Sequence, residues 1–299
     1  MNVLLIDVDS KIPNLALMKI SAWHKALGDN VVFESTPFNL SDPDRVYISC
    51  IFPKNKVKAN GFKSFFNCDV DIGGTGIDLK KTLPEEIEEM KPDYDLYPST
   101  YSQGYTTRGC IRKCGFCFVP EKEGMITEAQ HPAEFHDARF DTCMIMDNNL
   151  FAAPQYWQDD VIGWFIENKI KMLSPQGWDI RLLTDRRAKL LKMIKHPEGL
   201  HFAWDDIADE KTVVRGIELL RENGFDLRNR TQFYVLAGFN GSGFDDALYR
   251  CNKLKELGTM PFVMPYHKND KEINRLARWA NWKQAFWSMT FEQFKAAKL

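Results

Sequence analysis

The feature that most constrains this chain is a regular alternation of strand-like and helix-like segments over its second half. TCMIMD (142–147) precedes PQYWQDDVIGWFIENKI (154–170), and DIRLL (179–183) precedes DRRAKLLKMIK (185–195). LHFAW (200–204) precedes DEKTVVRGIELLRENG (209–224), TQFYVLAG (231–238) precedes DDALYRCNKLKELG (245–258), and PFVM (261–264) is a last strand. A helix between two strands gives the length of chain that a parallel crossover requires. With one more strand at about YTTRG (105–109) there are six βα units, short of the eight of a complete barrel. The expectation is an α/β fold containing a (βα)6 partial TIM barrel.

The first 95 residues repeat the alternation on a smaller scale. NVLLID (2–7) reads as a strand, followed by NLALMKISAWHKALGD (14–29) with Leu15, Met18, Ile20 and Trp23 at near-helical spacing and Gly28 as a stop. NVVFES (30–35), RVYISCIF (45–52) and CDVDIGG (68–74) look like further strands. This is the pattern of a Rossmann-like open parallel sheet. LPEEIEEMKPDYDLYPS (83–99) is acidic and proline-punctuated, as connectors are. The expected organisation is an N-terminal α/β domain (1–95), a partial barrel (96–270) and an aromatic, locally basic helical segment (271–299).

The charge balance, 39 basic against 41 acidic residues for a net −2, provides no global field for nucleic acid or an anionic membrane. The start, MNVLLIDVDSK, reads as a buried strand rather than a leader, and no apolar run approaches the roughly 20 residues of a membrane helix. A cytoplasmic protein without membrane contact is expected, its thiols reduced; seven cysteines, an odd number, argue against a disulfide framework.

Three of those cysteines crowd one loop. TTRGCIRKCGFCFVPEKEG (106–124) holds Cys110, Cys114 and Cys117 at spacing C-x3-C-x2-C, after the first barrel strand. The C-terminal end of a parallel strand is where such folds carry their sites. Three thiolates can hold three irons of a [4Fe–4S] cluster and leave the fourth open to a small molecule, whereas a structural metal site is usually closed by four protein ligands. The alternative is a structural zinc or Fe–S site completed by Cys143 or a histidine.

Spacing and position together resemble the radical S-adenosylmethionine (radical SAM) superfamily, in its branch with an N-terminal cobalamin-binding-like domain. The resemblance covers about two thirds of the chain in architecture, and the loop is its most specific part. It implies an enzyme whose [4Fe–4S] cluster, held by Cys110, Cys114 and Cys117, cleaves S-adenosyl-L-methionine to a radical that abstracts hydrogen from a substrate. It also implies a one-electron reductant such as flavodoxin or ferredoxin. By the same resemblance Phe116 lies near adenine. Asp147, Asn148 and Asn149 of MIMDNNLF (144–151) would receive the cofactor's amino group, although Asn148 and Leu150 depart from the family's Asp and Phe and Asn also suits turns. Asp205 and Asp206 fall at the ribose position, where helix capping competes. Ala237, in YVLAGFNGSG (234–243), falls where the backbone touches adenine, though the glycines also suit a turn. Arg181, in an apolar segment, suits a ligand carboxylate or an internal salt bridge.

The N-terminal part matches less well. Where cobalamin binders carry a cobalt-ligating histidine, this chain has DVDSKIP, and Ser49 with Gly73-Gly74 is a faint echo of the remaining pattern, so cobalamin is not expected. Cys50 and Cys68 do not make the second cysteine trio of the methylthiotransferases, and no RNA-binding β-barrel follows. A cobalamin-dependent methyltransferase or a tRNA methylthiotransferase-like enzyme is therefore the second reading, and a small-molecule substrate is favoured over nucleic acid or peptide. His131 and His136 follow the loop as acid–base candidates or as exposed residues. Trp279, Trp282, Phe286 and Met289 share one face of an expected terminal helix, near Arg275, Arg278 and Lys283, where core packing is favoured over base stacking.

Overall fold

In the computed structural model residues 1–37, 42–240 and 242–297 are described. Four strands, β1 (Asn2–Asp7), β2 (Asn30–Glu34), β3 (Arg45–Ser49) and β4 (Asp69–Gly73), form a parallel sheet in the order β2-β1-β3-β4. The central strand β1 is apolar along both faces because both are covered. Leu4 and Ile6 join Val46, Ile48 and Phe62 on one side. Val3 and Leu5 join Leu17, Ile20 and Ile87 on the other. Asn14 starts the helix Leu15–Ala26 by accepting the Leu17 amide at 3.2 Å, and Gly28 ends it at φ +82°.

The second part carries β5 (Ser102–Gly104), β6 (Thr107–Arg108), β7 (Thr127–Glu128), β8 (Thr142–Ile145), β9 (Lys171–Leu173), β10 (Leu200–Ala203), β11 (Thr231–Ala237) and β12 (Met260–Pro265). Two parallel triplets result, β5-β8-β9 and β10-β11-β12, while β6 and β7 form a small antiparallel ribbon. A parallel bridge from Trp178 to Phe202 ties the segment after β9 to β10. Along β11 every second residue, from Thr231 to Ala237, is buried. Phe233, Val235 and Ala237 pack into a core with Val161, Phe165, Leu191, Ile217, Leu254 and Trp279 from the surrounding helices.

The chain is thus a mixed α/β fold with several parallel sheets, and the described strands do not close into a barrel; the expected TIM-barrel description is corrected accordingly. Two expected strands are displaced. The first is Ser102–Gly104 rather than 105–109, because Thr107 and Arg108 pair with Thr127 and Glu128 instead. The third is Lys171–Leu173 rather than DIRLL. Asp179 accepts the Arg181 amide at 3.2 Å and winds Ile180–Leu182 into a short 3-10 turn. The expected terminal helix is three pieces, Lys271–Asn281, Lys283–Ser288 and Phe291–Ala296. Trp282 is extended (φ −91°, ψ 98°) and breaks the single face: Trp279 and Phe286 enter the core, while Trp282 remains 47% exposed. Lys298, Leu299 and Gly241 lie outside the described residues. Among the described residues no helix is long and apolar enough to cross a membrane.

Candidate functional site at the strand ends

The polar residues singled out from the sequence gather beyond the C-terminal ends of the second part's strands, and each is held by a different device. Asp147, just past β8, is buried. Its Oδ1 accepts the Thr106 amide at 2.6 Å, and its Oδ2 accepts the hydroxyls of Thr106 and of Thr107, the latter at 2.9 Å. Burial pushes its carboxyl up to about 6, against those hydrogen bonds. Asp147 therefore fixes the entry to the cysteine loop.

The next two residues reach into that loop. Asn148 donates to Glu123 Oε2 at 2.8 Å, and the same oxygen accepts the Gly109 amide at 3.1 Å. Gly109 has φ +76°, and a Cβ there would lie 2.3 Å from the Met125 carbonyl oxygen, so the turn into Cys110 requires glycine. Asn149 donates Nδ2 to Asp179 Oδ2 at 3.2 Å and more weakly to Cys110 Sγ at 3.6 Å. Its side chain is 4% exposed, yet its Oδ1 is buried without a hydrogen-bond partner. A buried carbonyl oxygen left unpaired costs about 1–3 kcal/mol.

Asp179 is the hub. Its Oδ1 takes Arg181 Nε at 2.7 Å, while its Oδ2 takes Arg112 Nε at 3.0 Å and Arg181 Nη2 at 3.3 Å. Burial raises its carboxyl, but the Arg181 and Arg112 guanidiniums outweigh that and hold it below its ordinary value. Arg181 extends to Asp209 at 3.1 Å, so its internal salt-bridge reading is realised. Arg112 commits Nε to Asp179 and is one-third exposed, at 33%, and among the described residues its two terminal amino groups are left for an incoming acceptor.

The far side is closed by β10, β11 and β12. Asp205 accepts the Leu236 amide at 2.9 Å, and burial pushes its carboxyl up. Asp206 caps a short turn by accepting the Ala208 amide at 2.9 Å, the capping alternative. Ala237 is buried and its carbonyl accepts the Tyr266 amide at 2.8 Å. Phe116 meets Phe239 edge-on with ring centroids 5.6 Å apart, and Phe239 meets Tyr266 at 4.9 Å. His131 and His136 stand apart, packed against Trp157 and Trp164.

Four supporting residues escaped the sequence reading. Asp179 and Arg112 are far apart in sequence, and nothing local signals their pairing. Glu123 reads as an ordinary charge in PEKEG. Arg250 is fully buried and ties β10 to β11 through the carbonyls of Trp204 and Leu236. Its i,i+4 partner Asp246 was the available clue, at 3.0 Å in the fold. A wide groove of about 490 Å³ lies elsewhere, at the outer edge of the N-terminal sheet. Its Arg45 and Lys81 are paired with Asp69 and Asp71, although Arg45 Nε is itself buried without a partner.

The three cysteines do not make the ligand set that the resemblance implied. Among the described residues no group of three or more His, Cys, Asp or Glu side chains is placed to hold a metal ion. Cys110 Sγ accepts the Arg112 amide at 3.3 Å and the Asn149 amide group. Cys114 and Cys117 sit on a tight turn closed by the Cys117 amide on the Cys114 carbonyl at 3.0 Å, and burial pushes the Cys114 thiol up. The [4Fe–4S] cluster, the S-adenosylmethionine it would bind and the zinc alternative are corrected on this ground. Neither a protein-family model nor a curated protein matches the chain, so the radical SAM assignment and the enzyme activity inferred from it are withdrawn.

Proposed function

We propose that this protein binds a small polar molecule at the C-terminal ends of strands β5 and β8 to β12. The ligand would combine a hydrogen-bond donor with an anionic group. The observation that carries this reading is the buried, unpartnered Asn149 Oδ1 beside a charge network. An acceptor buried without a partner is stabilised by a ligand that donates to it. The open end of Arg112 suits a carboxylate or phosphate held by two parallel hydrogen bonds. Phe116, Phe239 and Tyr266 offer the ligand's remainder an apolar edge, and Asp205 and Ala237 supply further polar contacts at the far rim.

In this reading the two triplets act as one open wall of six βα units, supported by the Trp178–Phe202 bridge. The described residues of 1–95 form a Rossmann-like unit that flanks it, and the helices between Lys271 and Ala296 a helical brace. All seven cysteines are free, in keeping with a reducing, cytoplasmic setting.

The test is calorimetric titration of the full chain with free amino acids, nucleosides and small carboxylic acids. Binders are expected to lose at least about tenfold in affinity on Asn149→Ala and on Arg112→Ala, the loss of one charged or buried hydrogen bond each. Binding that survives both substitutions unchanged would remove the proposed site.

A further inference from the structure

A chain of charges runs from the N-terminal helix to the base of the cysteine loop. Lys19, on helix Leu15–Ala26, has a side chain only 3% exposed, although lysine is seldom buried without a partner. Its Nζ lies 3.5 Å from Glu88 Oε1, donates to the Glu88 carbonyl and donates to Gln130 Oε1 at 2.8 Å. Glu88 Oε1 also receives Arg108 Nη2 at 2.6 Å. Arg108 stands over the Tyr105 ring, 3.6 Å from its centroid, and reaches Glu123 Oε1 with Nη1 at 3.3 Å. The other oxygen of Glu123 takes the Gly109 amide and Asn148, the residues that flank Cys110 and Asn149. Lys122 lies beside Glu123 at 3.7 Å and donates across to Thr75 Oγ1 of the N-terminal part at 3.2 Å.

We infer that the series Lys19–Glu88–Arg108–Glu123 positions the cysteine loop, so that docking of the N-terminal part sets how the strand-end site is presented. The inference deepens the ligand-binding reading and rests on it for its consequence, but the physical coupling is testable without a ligand. Glu88 holds Lys19 and Arg108, and Glu123 holds Arg108, Gly109, Asn148 and Lys122, so each joins different segments. Neutralising one of them frees a cation and loosens the loop base. A second ion pair at the same junction, Lys25 to Asp93 at 2.7 Å, joins the same helix to the connector without touching the loop. It is the natural control.

The experiment is hydrogen–deuterium exchange on the full chain, following the peptide that spans 106–118 and, as reference, the strand 231–237. In Glu88→Gln the loop peptide is expected to exchange about five- to tenfold faster and the reference strand at its normal rate, as for a local opening. Glu123→Gln is expected to do the same more strongly. High salt should speed loop exchange in the wild type and add little in Glu88→Gln, because partly exposed ion pairs are screened. Lys25→Ala should leave the loop unchanged. An unchanged loop in Glu88→Gln, an equal rise throughout the second part, or loop opening by Lys25→Ala would each overturn the inference. Failure of the ligand titrations would leave these outcomes unaffected, so the two proposals fail separately.

Discussion

The molecule presents two sets of parallel-strand ends, and they are finished in opposite ways. At the N-terminal sheet the order β2-β1-β3-β4 changes direction between β1 and β3, the place where open α/β sheets usually admit a ligand. Here the chain fills it. Asp7 accepts the amides of Asp9 and Ser10 and the Tyr97 hydroxyl, the last at 2.7 Å. Asn14 donates to Ser10 Oγ at 2.9 Å and to Ser49 Oγ at 2.8 Å. Asp9 is taken up by Ile51, Phe52 and Asn55. At the ends of the second part's strands the groups are also polar and in part buried, but Asn149 Oδ1 has no partner and Arg112 is bound to Asp179 through Nε. Topology alone would have favoured the first location. The state of the hydrogen bonds favours the second.

The largest expected effect that separates the two ends is Asp179→Ala. It strips a buried partner from Arg112, Arg181 and Asn149 together, and should cost about 3–5 kcal/mol in urea unfolding as well as ligand binding. Next is the pH dependence. Asp147 has an ordinary value of 3.8 and is raised to about 6 in the fold, so between those values the native state holds a proton that the unfolded chain has released. Its contribution is complete below the lower value and is lost as pH rises through the upper one. Stability should therefore fall by about 3 kcal/mol from about pH 4 to pH 7 on this account, and Asp147→Asn should flatten that slope. Asp179, held below its ordinary value, acts with the opposite sign: its contribution is present above 3.8 and is lost as pH falls through its native value.

Smaller effects sharpen the contrast. Gly109→Ala forces a side chain against the Met125 carbonyl at φ +76° and should cost about 2 kcal/mol, with faster exchange at Cys110. Tyr97→Phe removes one of the hydrogen bonds to Asp7 and should cost about 1 kcal/mol with ligand affinity unchanged. A loss of binding in Tyr97→Phe equal to that in Asn149→Ala would erase the distinction between the two ends.

Periodicity made much of this architecture readable, and its failures have local causes. The alternation of apolar runs and helical patterns located most strands, because a strand buried on both faces must be apolar throughout. DIRLL looked like such a strand, but its own first residue, Asp179, turned it into a 3-10 turn. Thr107 and Arg108 looked like part of the first strand and were taken by the ribbon with Thr127 and Glu128. In the site, Asp147, Asn148, Asn149 and Asp205 were visible as polar residues closing apolar segments, and Arg181 as a charge inside one. Their hub, Asp179, was hidden by its distance from Arg112. The cysteine spacing was the loudest local signal and the most misleading one: spacing fixes how near three thiols are along the chain, whereas a metal site requires their side chains to converge.

The most direct test of the central claim is an amide chemical-shift map of the full chain, isotopically labelled, with the tightest binder from the titration series. The account expects the shifted amides to cluster at 106–118, 147–149, 179–181 and 236–239. A cluster at 7–14, 49–52 and 74–76 would place the ligand at the N-terminal sheet and contradict it.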